Sequence, residues 1–84
     1  MGELANCVNI GPKLEAQLYE TGVKTFDELK EIGAKEAWLR IKAIDSSACI
    51  MRLYGLHGAI LGIRWHNLDD RIKKELKQFY LEHK

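Results

Sequence analysis

Long apolar runs are missing from this chain of 84 residues. Its most apolar stretch, Ile50 to Trp65, is interrupted by Arg52, His57 and Arg64 and falls short of the ~20 apolar residues a bilayer requires. It reads as a core helix, with no membrane partner expected. Cysteine is scarce too: Cys7 and Cys49 are the only two and no secretory segment precedes them, which argues against a disulfide framework. Both are expected as reduced, buried thiols in a cytoplasmic protein. An excess of one charge is also lacking. Thirteen Lys and Arg stand against twelve Asp and Glu, a net of +1, and strong counterion-release binding to nucleic acid calls for a larger basic surplus.

Reactive side chains fall into no catalytic pattern. His57 and His66 have no cysteine or histidine at helix-compatible ligand spacing, and no serine, cysteine or carboxylate arrangement suggests a nucleophile. No catalytic residue, metal or cofactor is therefore expected, and an enzyme is the least expected class.

What is present is a globular composition, 46% apolar and 30% charged, in a single domain over residues 1–84. Helical periodicity runs almost throughout and convincing period-two alternation is absent, so five or six short helices are expected. A first short helix covers Glu3 to Val8. The next begins at Pro12, which lacks the N–H that a helix's first turn leaves unpaired, and stops at Gly22, with Val23 folding back onto Leu18. Thr25 and Glu28 have capping-box spacing for a third helix that presents Phe26, Leu29 and Ile32 inward.

Gly33 ends that helix. Lys35 to Ala43 follows, with Ala37, Trp38, Ile41 and Ile44 near one side, and Asp45, Ser46 and Ser47 supply the next cap. The fifth helix, Ala48 to Arg64, carries Gly55, Gly58 and Gly62, each costing about 1 kcal/mol relative to alanine. Close packing against a neighbouring helix is the expected compensation. A last helix from Asn67 places Leu68, Ile72, Leu76, Phe79 and Tyr80 inside and Arg71, Lys73, Lys74 and Lys77 outside. Charge follows the same division. Residues 1–45 hold six basic against eight acidic groups, net −2, and residues 46–84 seven against four, net +3. The later half is the more basic surface, Arg64 included.

The run Val8-Asn9-Ile10-Gly11-Pro12-Lys13, followed by Leu18, Gly22-Val23-Lys24-Thr25 and Leu29, resembles a helix-hairpin-helix element. Ile32-Gly33-Ala34-Lys35 echoes Ile10-Gly11-Pro12-Lys13 at an offset of 22 residues. The fold implied is an all-α compact bundle with tandem helix-hairpin-helix-like units. In DNA-binding members, bare glycine turns let first-turn amides reach a phosphate, helped by the helix macrodipole. By that likeness Asn9, Gly11, Lys13, Gly33 and Lys35 are candidate phosphate-binding residues, and Arg64, Arg71, Lys73, Lys74 and Lys77 a candidate basic partner surface. Asn9 replaces the first hairpin glycine of those members. It tolerates the left-handed region but crowds a phosphate.

Over roughly residues 4–80, NIGPKLEAQLYETGVKTFDELKEIGAKEAWLRIKA followed by LYGLHGAILGIRWHNL resembles the C-terminal domain of TfoX/Sxy proteins. The ensemble that includes Leu53-Tyr54, Gly58-Ala59-Ile60 and Gly62-Ile63-Arg64-Trp65-His66 carries the likeness. Full-length members add an N-terminal α/β domain and are regarded as regulators of natural competence that assist the cyclic-AMP receptor protein. The resemblance implies a stand-alone relative of the C-terminal half, a regulatory binding domain acting through protein contacts in transcription regulation. Two alternatives stand beside it. One is a sequence-independent, weak DNA-binding module; the other is a structural module in which the glycine-bearing helix makes a homodimer. The Arg64-Trp65-His66-Asn67 corner is expected to pack at a helix junction, with the Trp65 indole N–H on a carbonyl.

Overall fold

The computed structural model describes Leu4 and residues 7–83. Among them lie four α-helices: α1 (Pro12–Glu20), α2 (Phe26–Ile44), α3 (Ile50–Leu61) and α4 (Asp70–His83). A 3-10 turn at Trp65–Asn67 joins the last two, and the described residues include no strand. The five or six helices expected reduce to four. Of the short first helix placed over Glu3 to Val8, Glu3, Ala5 and Asn6 lie outside the described residues, and Cys7 and Val8 are not helical. The two helices placed either side of Gly33 run on as one element, α2. The break expected at Gly33 is present, its φ of 83° and ψ of 162° being non-helical, and α2 is two helical segments abutting across that kink.

Chain chemistry sets most of the boundaries. Pro12 opens α1 after an extended Gly11. At the other end Gly22 takes a positive φ of 93° and lets the Val23 N–H donate to the Leu18 carbonyl at 2.8 Å, which folds the buried Val23 back onto the helix. Thr25 caps α2 reciprocally: its hydroxyl accepts from the Glu28 N–H at 3.1 Å while the Glu28 carboxylate accepts from the Thr25 N–H at 3.1 Å. Such a cap contributes about 0.5–2 kcal/mol.

Two other starts differ from expectation. α3 begins at Ile50 with Cys49 at the N-cap and no side-chain cap. Asp45 instead binds its own loop, accepting from the Ser47 N–H (3.0 Å), the Ser47 hydroxyl, the Gln17 amide (2.8 Å) and Arg52 (2.9 Å). The Ser47 hydroxyl first, and Arg52 next, hold its carboxyl well below the usual carboxylate range. α4 begins at Asp70 rather than Asn67, because Trp65–Asn67 tightens into the 3-10 turn.

Trp38 is the centre of the core. Fully buried, it donates its indole N–H to the Cys49 carbonyl at 3.1 Å and meets Phe79 and Tyr80 of α4 edge-on, at 6.1 and 5.6 Å between ring centroids. Leu18, Leu29, Ile41, Leu53, Leu56 and Leu76 belong to the same buried cluster. α3 is the hub, packing on α2, α4 and the 3-10 turn, while α1 meets α2 only sparingly. Tandem helix-hairpin-helix units do not emerge from that arrangement. Gly11 (φ −97°, ψ 180°) and Gly33 (φ 83°, ψ 162°) also differ in backbone, so the repeated Ile-Gly-x-Lys is not one turn used twice. Ile44 and Cys49, both placed inside by sequence, are exposed, and Cys7 is half-buried; Cys49 is in no disulfide.

Candidate functional site

Asn9 is the described non-glycine residue with a positive φ, 70°. Asparagine is among the few side chains that occupy this region at modest cost. The conformation directs its carboxamide inward. Its Nδ2 donates to the Ile63 carbonyl at 2.9 Å and, at 3.4 Å, to that of Gly55; its Oδ1 accepts from the Trp65 N–H at 3.3 Å. One side chain therefore pins the turn before α1 to α3 and to the segment that leaves it.

The glycines of α3 make room for this. A Cβ on Gly58 would lie 2.6 Å from Asn9 Nδ2 and 2.7 Å from the Ile63 carbonyl oxygen, whereas one on Gly55 would stand 3.5 Å from Asn9 Cβ. The close neighbour expected for these glycines was another helix; it is instead the Asn9 turn and the Ile63–Trp65 backbone. Gly62 serves differently. With φ 77° it is the left-handed cap of α3, and the Ile63 N–H donates back to the Gly58 carbonyl at 2.9 Å.

Pinned in this way, the start of α1, the first turns of α3 and the Arg64–His66 corner enclose a cleft of about 470 Å³. Leu14, Met51, Gly55 and Trp65 contribute its apolar surface. Lys13, Arg52, Arg64 and His66 contribute its polar and cationic surface, and no carboxylate lines it among the described residues. Arg52 is committed to Asp45 at 2.9 Å. Lys13 and Arg64 are exposed and have no ion-pair partner among the described residues. Gln17 forms part of the wall; its Nε2 holds Asp45, and its Oε1 is buried with no hydrogen-bond partner.

The corner is both packed and exposed. Trp65 is half-buried and stacks near-parallel on Tyr54 (6.0 Å, 19°) and on the exposed His66 (4.0 Å, 26°). The junction contact expected of the Trp65 indole is made by its backbone N–H to Asn9, and the indole-to-carbonyl bond belongs to Trp38. Lys73 reaches the same corner from α4, donating to the His66 carbonyl at 3.2 Å and lying 5.9 Å from the Trp65 ring centroid.

Of the five candidate phosphate residues, the structure brings three together: Asn9, Gly11 and Lys13 all line the cleft, with the Asn9 carboxamide taken up by internal bonds. Gly33 and Lys35 do not line it. Lys35 pairs with Glu75 of α4 at 2.9 Å and lies 5.5 Å from the Phe79 ring centroid. Lys35 draws the Glu75 carboxyl below its ordinary value, and burial lowers His57 below its own, against the opposing pull of Glu75. Of the candidate basic surface, Arg64 joins the cleft while Arg71, Lys74 and Lys77 stand exposed on α4. Sequence reasoning missed Met51, Arg52 and Gln17. Only the apolar-then-basic pair Met51-Arg52 at a helix start carried a signal.

The sequence profile described as the TfoX C-terminal domain matches residues 1–80. Protein Sxy of Escherichia coli (strain K12) is 36% identical over 76 residues, covering 90% of this chain and 36% of that protein, so the chain spans about a third of that relative's length. Two solved structures from Listeria monocytogenes are similar. One, an uncharacterized protein in a triclinic form, is 54% identical with a TM-score of 0.90 over 90% of this chain and 86% of its own. The other, a protein of unknown function in a tetragonal form, is 51% identical with a TM-score of 0.94 over 96% and 100%.

Proposed function

The chain belongs to the TfoX C-terminal domain family, and on that premise we propose that it is a regulatory binding domain of the TfoX/Sxy competence-regulator type, acting through protein contacts in transcription regulation. Family membership supports the regulatory class over an enzymatic one. The cleft supports contact as the mode of action, because it places the unpaired cations Lys13 and Arg64 around exposed apolar surface. Apolar area combined with complementary charge is how protein partners are held and oriented.

Direct DNA binding is the second reading. Gly11 and Lys13 at the start of α1 share the cleft with Arg64, an arrangement that suits phosphate. A net charge of only +1 weighs against it. Purified RNA polymerase and transcription factors passed over the immobilised chain, with nuclease present, test the first reading. Retention in the absence of nucleic acid is the expected result; no retained transcription protein under any condition removes it.

A further inference from the structure

We infer that the cleft between α1, α3 and the Arg64–His66 corner takes a short acidic segment of a partner protein, in which a carboxylate stands beside an apolar side chain. This rests on the protein-contact reading above and narrows it to one surface and one chemistry.

Two halves of the cleft make unlike demands. Lys13 and Arg64 come from different elements, one from the start of α1 and the other from the segment after α3, yet they border one cavity that no described carboxylate lines. Neither has an ion-pair partner among the described residues. Together with the N-terminal end of α1 they favour a negative group. Beside them Met51 stands 44% exposed and Leu14 half-buried, both lining the same cleft. Met51 is an unbranched, polarisable side chain that can settle around whatever it meets.

A phosphodiester strand engages the cations but leaves Met51 and Leu14 uncovered. A wholly apolar segment covers those two while stripping water from Lys13 and Arg64 without replacing it. A carboxylate next to an apolar side chain meets both demands, and about 470 Å³ accommodates a few side chains rather than a duplex. Asn9 acts as a positioning residue here. Its three hydrogen bonds set the Lys13 wall against the Arg64 wall.

The test is an amide-shift titration of the isotope-labelled chain with three probes: a peptide alternating Glu and Leu, its counterpart with Lys for Glu, and a short DNA duplex at low salt. The expected result is saturable movement of Lys13, Gly55 and Trp65 with the acidic peptide alone. The double variant Lys13→Glu/Arg64→Glu is expected to weaken that binding about tenfold or more and to gain response to the Lys peptide; unchanged resonances of Leu29, Ile41 and Leu53 verify its fold. Movement of the same residues by DNA but not by acidic peptide overturns the inference in favour of nucleic acid. Acidic-peptide binding that survives the charge reversal, or no binding of any probe at the cleft, overturns it outright. Transcription proteins retained equally by chain and double variant sink the cleft while sparing the protein-contact reading. Acidic-peptide binding with no transcription protein retained does the reverse.

Discussion

At position 9 a single side chain performs two tasks that sequence alone shows as one. Its left-handed backbone was legible, since asparagine next to Ile-Gly-Pro suits a turn. Its carboxamide was not, because its partners Gly55, Ile63 and Trp65 stand 46, 54 and 56 residues away. Asn9→Gly keeps the backbone and removes the bonds, and is expected to lower stability by about 1–3 kcal/mol. Asn9→Ala adds the steric cost of the left-handed region, roughly another 1–2 kcal/mol. Urea unfolding of both variants measures the difference. The glycines one turn apart on α3 should diverge in sign. Gly55→Ala meets only ordinary contacts and gains up to about 1 kcal/mol of helix propensity. Gly58→Ala drives a methyl onto the Ile63 backbone and should lose about 1–2 kcal/mol net, overpacking outweighing propensity. Equal effects at the two positions would show that Asn9 and the Ile63 backbone do not fill the space beside Gly58.

Among the elements, the boundaries that sequence located are those governed by neighbours in the chain: Pro12 opening α1, Gly22 and Val23 closing it, the Thr25–Glu28 box, and the break at Gly33. Those it misplaced depend on distant groups. Asp45 resembles a cap for α3 in sequence, but Gln17 and Arg52 draw its carboxylate into a bridge between α1 and α3. That bridge has a pH signature. The folded carboxyl titrates below the ordinary value of 3.8, so the unfolded chain takes up the proton first as pH falls. The contribution is whole above that value and disappears as pH drops through the folded one. Asp45→Asn is therefore expected to lower stability near neutrality and to flatten the acid limb of a stability profile. An acid limb identical to that of the parent chain would show the bridge to be energetically silent.

For the whole molecule, all-helical architecture and family membership were legible because periodicity and motif persist along the chain. The number of helices was not, since the two segments either side of Gly33 abut across a kink and count as one element. The site was half legible. Asn9, Gly11, Lys13 and Arg64 converge, while Lys35 turns to Glu75 and leaves the set. Charge that looked like a division between halves becomes, in three dimensions, two cations from opposite halves facing one cleft. No helix among the described residues is long and apolar enough to cross a membrane.

On the proposed function, Lys13 and Arg64 hold a protein partner of the transcription apparatus. The most direct measurement compares, side by side and with nuclease present, the transcription proteins retained by the chain and by Lys13→Glu/Arg64→Glu. Retention by the first and its loss from the second are expected, with thermal unfolding of the two alike. Equal retention by both would contradict that function.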